Sequence, residues 1–207
     1  MFLSIHPSGP LRTNAILFGG DGIGAVIDPA MGSADPILLE AEANGLKIEK
    51  ILLTHSHWDH IVDLHKLQAK TGAFVYVHPL DAANVEAPGS DGLPAIPIAP
   101  VQPDFLLEDG EIIKVGALQL EVIHTPGHSL GCVCFYLEKE GILFAGDTLF
   151  KGSLGRLDLP TGHPEKMWPS LKRLAKLPSK TRVIPGHGPE TEIGKENWLE
   201  KAEEFFG

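Results

Sequence analysis

Apolar residues fall along this chain in short runs, separated by turns that carry glycine or proline. Asn14–Phe18 and Ala25–Asp28 read as strands, joined through Gly19-Gly20-Asp21-Gly22-Ile23-Gly24. That glycine cluster runs from strand to strand and not into a helix, so it predicts a hairpin turn rather than a nucleotide-binding loop. Ser33-Ala34-Asp35-Pro36 opens a helix to about Asn44, with Gly45 suited to its end. Ile51-Leu52-Leu53 is a short buried strand. Asp59–Lys70 spaces Ile61, Leu64 and Leu67 along one helical face, and Phe74–Val77 is another strand.

From Val85 to Pro103 the chain carries Pro88, Pro94, Pro97, Pro100 and Pro103 with Gly89 and Gly92. This predicts a loop long enough to serve as a lid or a substrate-side wall. Four strands follow, at Ile112–Val115, Leu118–His124, Cys132–Leu137 and Ile142–Ala145. Helices near Pro164–Lys176 and Lys195–Phe206 flank a last strand, Arg182–Ile184. No linker divides the pattern, so residues 1–207 are expected to form one domain with a sheet-containing core and helices outside.

Composition narrows the class. Hydrophobic residues make up 43% and charged ones 21%, the balance of an ordinary globular protein. No apolar run approaches the roughly 20 residues of a membrane helix, and Met1-Phe2-Leu3-Ser4-Ile5-His6-Pro7 lacks the form of a secretory signal. Cys132 and Cys134 lie too close for a disulfide framework, so a reduced, cytoplasmic setting is expected. A net charge of −10 argues against a nucleic-acid partner and leaves a small molecule as the expected one. The sequence carries no mark of oligomeric state.

The chemistry concentrates in Thr54-His55-Ser56-His57-Trp58-Asp59-His60, directly after the strand Ile51–Leu53. In extended chain His55 and His57 point to one side and can converge on one ion. Asp59 and His60 follow where the chain turns into a helix and can serve a neighbouring ion. Three further residues sit in glycine-bearing turns after strands: His128 in Thr125-Pro126-Gly127-His128, Asp147 in Ala145-Gly146-Asp147, and His187 in Pro185-Gly186-His187-Gly188. Rigid strand ends are where sites are assembled. His6, His65, His78, His124 and His163 fit no such position.

With these four motifs in order, the sequence resembles the metallo-β-lactamase superfamily from end to end. The resemblance implies an α+β fold, an αββα sandwich of two mixed sheets with helices outside. It implies that His55, His57 and His128 bind a first metal, that Asp59, His60 and His187 bind a second, and that Asp147 bridges them. Imidazole and carboxylate donors suit two divalent ions, zinc first, with iron or manganese also matched. Such ions can lower the pKa of a shared water from about 15.7 toward about 7. The resulting bridging hydroxide would attack a carbonyl. Asp59 could also take a proton during turnover.

Leaving-group chemistry favours a thioester, because a thiol has a pKa of only about 8.5 and needs no dedicated acid. Gly152-Ser153-Leu154-Gly155-Arg156-Leu157-Asp158-Leu159-Pro160-Thr161-Gly162, with Pro185-Gly186-His187-Gly188-Pro189-Glu190-Thr191, is similar to the compact hydroxyacylglutathione hydrolases (type II glyoxalases). That resemblance implies hydrolysis of S-lactoylglutathione or a similar thioester. The full-length members carry a C-terminal helical domain for glutathione, which is not expected in a chain that stops at Gly207. They also place a tyrosine where Pro185-Gly186 stand here, and a lysine for which Arg156 is the replacement. Arg156 is therefore either a substrate-carboxylate anchor or the partner of Asp158 within its own loop. A mononuclear-iron persulfide dioxygenase shares the same ligand pattern and stands as the alternative. A non-catalytic binding module is disfavoured, since every donor position is filled.

Overall fold

The computed structural model describes residues 1–93 and 96–207, so Pro94 of the expected loop lies outside the described residues. Among the described residues, twelve strands form two mixed sheets of six. The first sheet runs β1 (Phe2–Ser8), β2 (Thr13–Gly20), β3 (Ile23–Ile27), β4 (Lys47–Leu52), β5 (Phe74–Val77) and β6 (Phe105–Leu106) in spatial order. The second holds β7 (Ile112–Val115), β8 (Leu118–His124), β9 (Val133–Leu137), β10 (Ile142–Gly146), β11 (Arg182–Pro185) and β12 (Thr191–Glu192), again in spatial order. Each sheet has antiparallel and parallel pairs, β3 with β4 and β10 with β11 being parallel.

Helices α1 (Ala34–Ala43), α2 (Trp58–Ile61), α3 (Leu64–Thr71) and α4 (Pro79–Glu86) belong to the first sheet, and α5 (Pro164–Leu174) and α6 (Ala202–Phe206) to the second. Strand side chains alternate faces, and both faces of the central strands are covered. On β2, Ile16 and Phe18 face the other sheet, while Leu17 packs toward the helices. Phe18 and Phe144 meet across the middle layer at 5.2 Å. Leu17, Val26 and Ile51 pack with Ile37 and Leu67, and on the far side Leu143 and Val183 pack with Leu171 and Leu174. These three cores make four layers, the αββα sandwich.

The glycine cluster is a hairpin turn, as its strand-to-strand setting predicts. Gly20 pairs with Ile23, leaving Asp21 (φ 53°) and Gly22 (φ 78°) as a two-residue loop whose positive φ values suit an Asp-Gly turn. Elsewhere the structure corrects the expected elements. Asp59–Lys70 is two helices, α2 and α3, because Asp63 is held by distant partners. Its amide donates to the Pro29 carbonyl (3.0 Å), and its carboxylate accepts from the Ala34 amide at the start of α1 (2.9 Å). Helix α4 runs into the start of the expected Val85–Pro103 loop, capped by His78, whose Nδ1 accepts from the Leu80 amide.

The C-terminal segment, expected to be one helix from Lys195 to Phe206, is two short 3-10 turns and then α6. Glu196 leaves helical geometry because its carboxylate gathers the Gly152 amide (2.9 Å), the Trp198 indole (2.7 Å) and the Thr191 hydroxyl. Among the described residues no helix is long and apolar enough to cross a membrane.

Candidate metal centre

The segments after β3, β4, β8, β10 and β11 meet at one edge of the sandwich. They carry Asp28, His55, His57, Asp59, His60, His128, Asp147 and His187, and all but His187 are buried. Donor atoms of His55, His57 and His128 lie within 4.8 Å of one another, as do those of Asp59, His60 and His187. Asp147 reaches both groups. Its Oδ2 is 3.4 Å from His128 Nε2 and 3.5 Å from His187 Nε2, and its Oδ1 is 3.4 Å from His60 Nε2. All seven sequence-predicted donors are therefore in one place.

These spacings suit a cation. Donor atoms each about 2.1 Å from one tetrahedral ion stand about 3.4 Å apart, which the distances match. His55 Nε2, His128 Nε2 and Asp147 Oδ1 are also buried without any hydrogen-bond partner. Buried polar atoms are costly to leave unpaired, so these orphans, two in the first triad and Asp147 Oδ1 facing His60, fit cations seated around the point where the two triads meet.

Each ring nitrogen on the far side from that point has a partner that sets the tautomer. His128 Nδ1 donates to the Arg156 carbonyl (2.7 Å) and His187 Nδ1 to the Leu11 carbonyl (3.1 Å), which frees both Nε2 atoms. The Thr161 hydroxyl donates to the His128 carbonyl (3.1 Å), so it accepts from His57 Nε2 (2.9 Å) and leaves His57 Nδ1 free. The Thr54 hydroxyl donates to Asp28 Oδ2 (2.6 Å) and accepts from His55 Nδ1 (3.1 Å). Asp28 also meets His60 Nδ1 at 3.0 Å. Thr13 donates to Asp59 Oδ2 at 2.6 Å.

Burial, then the neighbouring His128 and His60, pulls His57 down to about 2, and burial with His60 lowers His55 well below its ordinary value. These rings are neutral and ready to donate lone pairs. For His60, burial is outweighed by Asp59, Asp147 and Asp28, which raise it to about 10. Burial of Asp59 is likewise outweighed by His60, His187 and Thr13, which hold its carboxyl far below the usual range.

Two glycines let the loops close. Gly146 has φ 48°, and a Cβ there would meet Thr54 Oγ1 at 2.5 Å; a Cβ on Gly186 would overlap the Asp147 carboxylate. Under the ligand loops lies Asp81 on α4. It accepts from the Ser56 amide (2.8 Å), the Ser129 hydroxyl (3.0 Å) and the Gly131 amide (2.9 Å).

A cavity of about 320 Å³ opens over the donors and is lined by residues including Trp58, Leu93, Phe150 and Arg156. Leu93 brings the proline-rich loop to its wall. Arg156 is paired at the rim with Asp158 through Nε (2.9 Å) and Nη2 (2.8 Å), both side chains exposed. Arg156 thus makes the loop pair that is one of its two expected roles. Asp28, Thr54, Thr161 and Asp81 are not among the sequence-predicted residues. Only Asp28 left a signal, an acid at the end of a buried strand where the other donors also sit.

Residues 8–187 match the metallo-beta-lactamase superfamily. The probable metallo-hydrolase YqgX of Bacillus subtilis is 37% identical over 192 residues, 90% of each chain. A hydroxyacylglutathione hydrolase of Maricaulis maris is 40% identical over 154 residues, 74% of this chain and 54% of that one, so this chain spans about half its length. Among solved structures, the BLEG-1 B3 metallo-beta-lactamase superimposes with a TM-score of 0.87 at 35% identity, over 96% of this chain and 99% of that one. TTHA1623 in a di-iron-bound form gives 0.81 at 40% identity, over 95% and 96%. ETHE1 from Myxococcus xanthus gives 0.81 at 26% identity, over 97% and 83%.

Proposed function

The chain belongs to the metallo-β-lactamase superfamily of metal-dependent hydrolases, and from that premise we propose that it hydrolyses thioesters of the hydroxyacylglutathione type with two divalent ions. The observation that carries the reading is the pair of histidine-rich donor triads joined by Asp147, with three of their atoms orphaned. His55, His57 and His128 would hold one ion; Asp59, His60 and His187 would hold the other; Asp147 would serve both. Zinc suits this nitrogen and oxygen set, and so does iron, the metal in the TTHA1623 structure.

When bound, the ions would supply a water of lowered pKa and a Lewis acid for the carbonyl oxygen. The protein's own groups do the rest. Thr161, Arg156 and Leu11 fix ring orientations through His57, His128 and His187. Asp28 orients His60. The apolar wall of the cavity would shield one side of a bound substrate from water, and the Arg156 side chain at its rim could turn from Asp158 to a substrate carboxylate. A thiolate leaves without a proton, which matches a wall where the titratable groups other than Arg156 belong to the donor set.

Purified protein loaded with zinc or manganese is expected to cleave S-lactoylglutathione, and His57→Ala to abolish turnover and lose one ion per chain by elemental analysis. No turnover of any thioester by protein carrying two ions refutes the reading. One iron per chain with oxygen uptake on glutathione persulfide would establish the dioxygenase instead. The free, buried Cys132 and Cys134 support a reduced, cytoplasmic setting.

A further inference from the structure

The wall of the cavity over the donors divides into two chemical kinds. Its titratable residues are His57, Asp59, His128, Asp147, His187 and, at the rim, Arg156; among the described residues every other lining side chain is apolar. Those apolar groups are Leu11, Trp58, Leu93, Phe150 and Leu159. They come from four separate places along the chain: the loop after β1, the start of α2, the proline-rich loop and the stretch after β10. Leu11 is 52% exposed, and the Phe150 ring stands edge-on to His187 at 6.0 Å between centroids, beside the donors themselves. Apolar side chains gathered around a reactive floor and left open to solvent mark a surface that waits for an apolar partner.

We infer that this hollow receives an extended apolar acyl group, and that a small hydroxylated acyl group such as lactoyl is the poorer substrate; the inference rests on the thioester-hydrolase reading above. The volume, about 320 Å³, lies at the low end of ligand pockets, which span about 300–1,000 Å³. A space of this size would take an acyl group whole, with a charged thiol such as a tripeptide lying toward Arg156 at the rim. Once the donors are engaged, a hydroxyl on the acyl chain would be stripped of water among Leu11, Leu93, Phe150 and Leu159, with little beyond the Trp58 indole N–H to bond to, which is unfavourable. A methylene in the same place gains. The reaction needs no further reactant: water cleaves the C–S bond, its oxygen going to the acyl carbon and one hydrogen to sulfur, giving a carboxylate, a thiol and a proton released to solvent.

The test has two arms on zinc-loaded protein. Calorimetric binding of acetate, propionate, butyrate and hexanoate reads the hollow without turnover, and affinity is expected to rise about fourfold per methylene until the space is filled. Phe150→Ala and Leu159→Ser should flatten that rise. In kinetics with one common thiol, the S-hexanoyl ester should exceed the S-lactoyl ester in kcat/KM by about tenfold or more. A flat carboxylate series, a rise that survives both substitutions, or a faster S-lactoyl ester overturns the inference. A rising carboxylate series with no thioester turned over would uphold the hollow and refute the hydrolase reading, so the two failures are distinct.

Discussion

His57 meets Thr161 through Nε2 while Thr161 spends its proton on the His128 carbonyl, so one hydroxyl sets the tautomer of one donor and braces the loop of another. Partners of this kind typically change metal affinity by about 10- to 100-fold. Thr161→Val, which keeps the shape and removes the hydroxyl, should weaken zinc binding by that order in a chelator competition, and Thr161→Ser should restore it. Equal affinity in all three proteins would mean that His57 needs no partner there. Arg156 poses the opposite case, a side chain held only by another exposed one. So exposed a pair opens at little cost, and a guanidinium can grip a carboxylate with two bonds. Arg156→Ala is therefore expected to raise KM for S-lactoylglutathione roughly threefold to tenfold with kcat unchanged, the pattern of lost ground-state binding. A fall in kcat alone would remove Arg156 from the anchoring role.

Asp81 shows how an element positions the centre without touching it. From α4 it takes hydrogen bonds from Ser56, between His55 and His57, and from Ser129 and Gly131, beside His128. Asp81→Asn turns an acceptor into a donor facing other donors, which should cost about 1–3 kcal/mol in urea unfolding. It should also weaken one zinc per chain and leave the other, because Asp59, His60 and His187 are held elsewhere. Loss of both ions together would show that the two donor sets are one unit. None of this was legible in the sequence, where Asp81 is one acid in an unremarked helix start. The central strands were legible, because runs such as Ile142–Ala145 are covered on both faces and read as unbroken apolar stretches, whereas the two-residue strands β6 and β12 are too short to show a pattern. The break between α2 and α3 was not, since its cause lies in bonds from Asp63 to Pro29 and Ala34. Glu196 hid the C-terminal turns for the same reason. The edge strand β1, half-buried and ending beside Pro7, carries too weak an alternation to stand out.

On the scale of the molecule, the two sheets divide the donors. Asp28 and His55–His60 follow strands of the first sheet, and His128, Asp147 and His187 follow strands of the second. Ions held by both would clamp the sheets at one edge, while the apolar layer around Phe18 and Phe144 joins them throughout. Chelation should therefore lower Tm without unfolding the protein at room temperature, since binding to the native state adds RT ln(1 + [L]/Kd), about 4 kcal/mol at a thousandfold excess over Kd. Proton traffic gives the sharper check. Without ions, His60 at about 10 holds its proton, and, against burial, Asp59 and Asp147 push His187 in the same direction. A group raised in the fold contributes stability that is full below its unfolded pKa, about 6.5, and is lost as pH climbs through the folded value. In the metal-free protein this contribution holds at neutral pH and fades toward pH 10. A cation must displace those protons, so zinc affinity should rise with pH across that same window. Calorimetric titrations in buffers of different ionisation enthalpy at pH 7.5 should then show protons released per zinc bound. Release of none would mean that His60 is already neutral in the metal-free state and that the carboxylates around it are not the anions this geometry requires.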